Sequence, residues 1–284
     1  MIAFASNSLL CRAALKQTSI DAASFTFIRI FSGAAALWII MNIRRMVIAD
    51  PSSNLSLVTR HLSLPQAGDW LSALALFVYA AAFSFAYNGL SAGTGALLLF
   101  GAVQATMIFW GLRRGERLRA IQIGGLALAV IGLVALVLPG VSAPPLNSSA
   151  LMIGAGVAWG TYSLRGKNSD NAIAATTGNF LRAVPLAVAL SILSLSWVRL
   201  DRIGITYALI SGAITSGLGY VIWYSALPGL KAASAATVQL SVPMLAATGG
   251  ILLLGEPITL RYFLASIAIL GGIALVVIEK NRIQ

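Results

Sequence analysis

The chain is written mostly in apolar runs with polar residues between them. Ten runs stand out, at about 1–15, 22–43, 69–88, 93–112, 119–138, 148–165, 172–196, 203–226, 231–254 and 259–278. Crossing a bilayer takes roughly 20 apolar residues, and all but the first run reach about that length. The first is read either as a shortened helix whose start lies upstream of Met1 or as a short helix at the interface. Inside a bilayer no water satisfies the backbone, so a helical bundle is the spanning solution for this pattern. The expectation is an all-α membrane protein with ten transmembrane helices. Most connections are short, so neighbouring helices form antiparallel hairpins. The long exception, 44–68, carries Pro51 and Pro65 and reads as a flexible cytoplasmic loop.

The pattern repeats. The stretch from Tyr87 to Glu116 has a polar interruption at Gln104 and closes on Gly115-Glu116. The stretch from Tyr224 to Glu256 is interrupted at Gln239, Ser241 and Pro243 and closes on Gly255-Glu256, 140 residues later. Phe27-Ile28-Arg29 is matched by Phe180-Leu181-Arg182 at an offset of 153. Two halves follow, 1–139 and 147–279, joined by the uncharged turn around Pro139 to Asn147. Each half carries five helices. An odd number makes the second half enter the membrane from the opposite side, and inverted repeats place a binding site near the midplane, between the halves.

Composition sharpens this picture. Hydrophobic residues make up 58% and charged residues 10%, against about 25% charged in soluble domains. The net charge of +11 does not indicate a nucleic-acid partner, because the basic residues punctuate apolar runs instead of sharing one soluble face. They fall unevenly between the two sides. One face collects Arg44, Arg45, Arg60, Arg113, Arg114, Arg117, Arg119, Arg165, Lys167, Lys231, Lys280 and Arg282; the other has Arg12, Lys16, Arg199, Arg202 and Arg261. The richer face is cytoplasmic by the positive-inside rule, which puts both termini in the cytoplasm. No cleavable signal peptide with a basic start is seen. A single cysteine, Cys11, and a single histidine, His61, leave no basis for a disulfide, a metal site or a catalytic triad. No phosphate-binding loop follows a strand, so no nucleotide or other cofactor is implied and the chain does not read as an enzyme. The expected partners are the lipid bilayer and a small-molecule substrate, with the chain a monomer or weak homodimer.

Candidate chemistry lies within the spans. Asn7, Tyr79, Gln104, Trp159, Tyr162, Tyr220, Trp223, Gln239 and Ser241 could line an apolar cavity with a few directed hydrogen-bonding groups. Each has a plainer reading as a cross-helix bond or an interfacial belt residue, and Tyr87 and Tyr224, at helix ends, read as belt residues. Arg29 and Arg182 lie inside spans, where an unpaired charge costs roughly 2.5 kcal/mol or more. Two readings stand. In one, Arg29 pairs with Glu256 and Arg182 with Glu116, as symmetric gates or packing links. In the other, the arginines snorkel and each glutamate caps the next helix. Pro243 and Pro185 each remove a helix hydrogen bond, as a hinge or a static kink. All 8 acids lie near helix ends or in loops, which predicts facilitated diffusion or exchange rather than carboxylate-based proton antiport.

Trp159-Gly160, the two arginines, Tyr224-x-Ala226-Leu227, Pro243 and the paired Gly-Glu closures occur in the order found in one known group. On these residues the chain resembles the drug/metabolite transporter superfamily in its ten-helix, two-EamA-domain form. Its architecture is similar to that of YddG-type amino-acid exporters. The resemblance implies a secondary transporter of the bacterial inner membrane moving small metabolites, often amino acids and usually outward, by alternating access. The rival readings are an exporter of drugs or quaternary ammonium cations, and a metabolite importer of the same superfamily. The chain departs from the pattern at Val103, where the first half lacks a counterpart of Pro243.

Overall fold

The computed structural model describes residues 1–48, 67–115, 117–140, 143–166, 171–226 and 238–281. Among them lie ten helices, at the positions that the apolar runs predict. They are α1 (Ile2–Gln17), α2 (Ala22–Ile48), α3 (Trp70–Ala86), α4 (Ala92–Arg113), α5 (Ala120–Val137), α6 (Leu146–Gly166), α7 (Ala172–Leu193), α8, α9 (Ser241–Leu254) and α10 (Leu260–Asn281). Helix α8 is composite: Arg202–Ile210 is α-helical, Ser211–Leu218 is wound as a π-helix, and Gly219–Ala226 is α-helical again.

Helix ends fall where the sequence supplies caps. The carboxylates of Asp21, Asp69 and Asp201 and the side chains of Ser91 and Asn171 accept hydrogen bonds from N–H groups in the first turns of α2, α3, α8, α4 and α7. Each accepts from an amide that has no partner within its helix. Gly115 and Gly255, at φ +88 and +62, take the left-handed turn that follows α4 and α9, a conformation that glycine adopts without strain. Helix α2 continues past its expected end at 43 to Ile48. Basic residues such as Arg44 are favourable at a helix C-terminus. The predicted 44–68 loop otherwise lies largely outside the described residues.

Six of the helices contain stretches long and apolar enough to cross a membrane: Ala22–Arg44, Ala92–Arg113, Ala120–Val137, Ile173–Leu193, Arg202–Trp223 and Leu260–Val277. Helices α3 and α9 are apolar but shorter over their described residues. Large apolar side chains face outward, with Ile131 63%, Leu252 76% and Leu264 57% exposed. A soluble protein does not carry such a continuous apolar surface; a lipid-facing one does. Inside, Phe25, Leu37, Leu76, Phe83, Leu97 and Met152 are buried.

The helices pack closely through small residues. Helix α5 lies along α10, α4 lies against α6 and α9, α1 against α8 and α9, α2 against α7 and α8, and α3 against α6 and α7. At the α5–α10 contact, a side chain on Gly125 would meet the carbonyl of Gly272 at 2.6 Å. At the α4–α6 contact, one on Gly156 would meet Leu99 O at 2.5 Å and Ala102 Cβ at 2.6 Å. This is the small-residue packing that takes the place of the hydrophobic effect between helices in lipid.

Candidate substrate site

Four helices bring polar side chains together in the core. Asn7 of α1, Arg29 of α2, Tyr79 of α3 and the π-wound part of α8 meet there. The Asn7 amide nitrogen donates to the Tyr79 hydroxyl at 3.3 Å. Its oxygen accepts from Ser211 Oγ at 2.5 Å and Thr215 Oγ1 at 3.4 Å. Arg29 donates through Nη2 to the Tyr79 hydroxyl at 3.0 Å and through Nε to Ser216 Oγ at 3.4 Å. All six residues are buried, Arg29 to 2% exposure. The π winding brings Ser211, Thr215 and Ser216 to bear on the same neighbours; such wide turns recur at functional sites. Gly212 allows the approach, since any side chain there would run into Arg29 O and Ser32 Oγ.

An aromatic wall adjoins this network. Trp159 of α6 lies 4.8 Å from the Tyr79 ring and 5.1 Å from the Tyr220 ring, centroid to centroid, with Tyr162 at 5.5 Å. Phe4 fills the angle between Trp159, Tyr220 and Trp223 at 5.8 to 6.2 Å. The Arg29 guanidinium stacks over Tyr79 and Phe83 at 5.2 and 4.9 Å, within cation–π range. Six of the nine residues proposed as pocket candidates, Asn7, Tyr79, Trp159, Tyr162, Tyr220 and Trp223, therefore fall in one region.

The other three do not join it through any contact seen here. Gln104 lines a small cavity of about 30 Å³ between α4, α5 and α10, beside Gly101, Leu133 and Ile269. Its amide nitrogen is buried there without a partner among the described residues. Ser241 donates to Val238 O at 2.6 Å, and Gln239 is half-buried. Residues 227–237, which precede Gln239, lie outside the described residues. Pro243 follows the helical residues 238–239 and the turn at Leu240. It sits in the first turn of the Ser241–Leu254 helix. Pro185 does lie inside α7.

At one end of the bundle, Glu256 is bound by Arg12 and not by Arg29. Arg12 Nε donates to Glu256 Oε1 at 3.0 Å, and the Ala92 N–H donates to Oε2 at 2.8 Å. Arg12 Nη1 also reaches the Tyr87 carbonyl at 2.8 Å. The physical reason is reach: Arg12, in the C-terminal half of α1, lies beside the turn that closes α9, whereas the Arg29 hydrogen bonds run into the core. Tyr87, expected in an interfacial belt, is fully buried and donates to Ala92 O at 3.3 Å.

At the other end, Arg165 of α6 pairs with Asp69 at 2.9 Å and donates to Ser72 Oγ at 2.9 Å. The Asp69 N–H donates to Asn179 of α7 at 2.9 Å. Burial pushes the Asp69 carboxyl upward, but hydrogen bonds from Ser72 and the Arg165 charge outweigh it and hold the group below its ordinary value. Arg182 donates to the carbonyls of Ala67 and Gly178 at 3.1 and 3.0 Å. Its expected partner Glu116 lies outside the described residues, as does the side chain of Tyr224. Sequence reasoning missed Arg12, Phe4, Phe83 and the hydroxyls of Ser211, Thr215 and Ser216. The stretch 211–219 read as small-residue packing, which it also provides.

An outward apolar surface over helices of membrane-spanning length makes this a multi-pass, all-helical membrane protein. Comparison with known proteins is consistent with this. A sequence profile of the EamA-like transporter family matches residues 147–278. The chain is 54% identical over 280 residues to a Pseudomonas aeruginosa protein named "Uncharacterized protein PA1977", covering 99% of this chain and 92% of that one. A crystal structure sharing 15% sequence identity superposes with a TM-score of 0.63 over 99% of this chain and 96% of its own, a likeness of fold. Residues 147–278 form an EamA-like transporter domain.

Proposed function

We propose that the protein is a secondary transporter that moves small metabolites, amino acids or related compounds, out across a bacterial inner membrane by alternating access. The observation that carries this reading is a polar and aromatic centre flanked by a polar link at each end. Arg12–Glu256 joins α1 to α9 at one end, and Asp69–Arg165 joins α3 to α6 at the other. Each link ties the first half of the chain to the second. An occluded state needs both closed, and alternating access needs each to open in turn.

The two halves, 1–139 and 147–279, are proposed to be inverted repeats. Helix packing supports this. Exchanging α1–α5 for α6–α10 turns the α1–α9 contact into α6–α4, and α2–α8 into α7–α3; all four contacts occur. Both termini are assigned to the cytoplasm from the Lys and Arg distribution. The links and Pro243 are assigned gating or packing roles, and a monomer or weak homodimer is expected. Helix α1 is read as the shortened first helix. The aromatic wall would suit an organic cation such as a drug or quaternary ammonium ion, but the buried Arg29 charge opposes one.

The test is uptake into liposomes of purified protein, using a panel of amino acids and organic cations with and without a pH gradient. Saturable uptake of a metabolite, unchanged when the gradient is collapsed, supports the reading with facilitated diffusion or exchange. Absence of uptake across the panel counts against it.

A further inference from the structure

We propose that Arg29 is the carboxylate receptor of the central site, and that the solute taken there is a monocarboxylate bearing an apolar or aromatic group. This deepens the transporter reading and rests on it.

Arg29 is a buried cation without a counter-ion among the described residues. Three acids of the described residues are engaged by other groups: Glu256 by Arg12 and the Ala92 N–H, Asp69 by Arg165 and Ser72, and Asp21 by the N–H groups of Ala23, Ser24 and Arg199. Its hydrogen-bond partners are two neutral hydroxyls, and its Nη1 is buried with no partner among the described residues. The rings of Tyr79 and Phe83 offset part of the charge but supply no full negative charge. Arg182, at the matching place in the sequence repeat, is different. Its guanidinium is held by two backbone carbonyls, as an arginine with a packing role should be. A span-length helix that keeps a desolvated, half-satisfied guanidinium holds an expensive group that its own contacts do not explain.

The geometry suits a carboxylate. The guanidinium is a planar fork that binds two carboxylate oxygens through parallel N–H groups. Among the described residues Nη1 has no partner and Nη2 is engaged only by the Tyr79 hydroxyl, which can turn to donate to the incoming anion. One negative charge then neutralises the site, while an organic cation would be repelled. The Tyr79 ring is also the first member of the aromatic wall, 4.8 Å from Trp159. A carboxylate on Arg29 therefore has its adjoining apolar group beside Trp159 and Tyr220. Because Arg29 bridges α3 and the π-wound part of α8, it would sense the solute at the meeting of the two halves.

The test is binding to the purified full-length protein, read by tryptophan fluorescence and by thermal shift. The probes are L-phenylalanine, phenylpyruvate, L-leucine and 4-methyl-2-oxopentanoate, set against L-phenylalaninamide and phenethylamine, which lack the carboxylate. Inorganic phosphate and glycerol 3-phosphate serve as oxyanions from other sources. At least one carboxylate is expected to bind, with its amide or amine analogue at least about tenfold weaker. Arg29→Gln should weaken the acid by a similar factor, and Arg29→Lys should retain part of the affinity. Equal binding of amide and acid overturns the proposal. So does undiminished binding to Arg29→Gln, preference for the phosphates, or no binding of any carboxylate. The acid–amide comparison on the unaltered protein holds even if a variant misfolds. Liposome flux separates the two readings: transport of a cation or neutral solute that survives Arg29→Gln leaves the transporter reading standing and removes this one, whereas no flux at all removes both.

Discussion

Glu256 accepts a hydrogen bond from Arg12, 244 residues away in sequence, at 3.0 Å, and its second oxygen accepts the N–H of Ala92 at 2.8 Å. Through one carboxylate the C-terminal half of α1, the end of α9 and the start of α4 are fixed together. Both side chains are largely buried, at 14% and 6% exposure. Breaking a buried pair by removing one partner leaves the other charge desolvated and costs about 3 kcal/mol or more. Arg12→Gln and Glu256→Gln should each lower the melting temperature in detergent clearly. The double variant should lose less than the sum, as a double-mutant cycle would show.

Two neighbouring glycines of α10 should respond in opposite ways. A side chain on Gly272 would run into Gly125 O and Ala129 N, while Gly271 has nothing within 4 Å. Gly271→Ala should be neutral or stabilising by about 0.5–1 kcal/mol, since alanine is the better helix former. Gly272→Ala should separate α5 from α10 and cost about 1–3 kcal/mol. Thermal unfolding of both variants in one detergent checks the contrast.

Asn7 holds the π-wound stretch of α8 by accepting from Ser211 at 2.5 Å. Ser211 is fully buried, so Asn7→Leu strands its hydroxyl and should cost about 1–3 kcal/mol. It also frees Tyr79 from one of its two partners. Solute affinity should drop about tenfold or more, with the fold kept, as measured by ligand titration beside a circular dichroism spectrum.

Asp69 gives a pH dependence with a definite sign. Its folded-state carboxyl is lowered, because the Ser72 hydrogen bonds and Arg165 outweigh the opposing effect of burial. A lowered value contributes stability above the unfolded value, about 3.9, and loses it as pH falls through the folded value. The difference in melting temperature between the unaltered protein and Asp69→Asn should be constant from about pH 8 to 5 and shrink below about 4. Asp21, similarly lowered by the N–H and hydroxyl groups of Arg199, Ser24 and Ala23 against its own burial, should behave in the same way.

Much of the fold was legible from hydropathy alone, because in a bilayer length and polarity leave one solution per run. The predicted 93–112 and 203–226 runs became α4 and α8 within a residue or two. Pairing was less legible. Charge counting put Arg12, Arg29 and Glu256 toward the same face but could not say which arginine meets the acid. That depends on how α1 packs against α9 in three dimensions. The composite winding of α8 left no mark beyond a run of Ser, Thr and Gly, which small-residue packing explains equally well. Gln104 looked like a site residue because polarity in a span is conspicuous. The structure turns it toward α5 and α10, since the face a helix presents depends on all its neighbours. Asn7, Tyr79, Trp159 and Tyr220 stood out because polar and aromatic residues within spans are conspicuous, and the structure brings them together.

The central claim is that one site between the two halves opens to each side in turn. The most direct measurement is trans-acceleration in liposomes of the purified protein, following labelled L-phenylalanine, or whichever carboxylate binds most tightly, with and without the unlabelled solute on the far side. Saturable flux that speeds up when the far side is loaded is the predicted result, because the loaded carrier returns faster than the empty one. Flux that rises linearly with concentration and ignores the far side would contradict it.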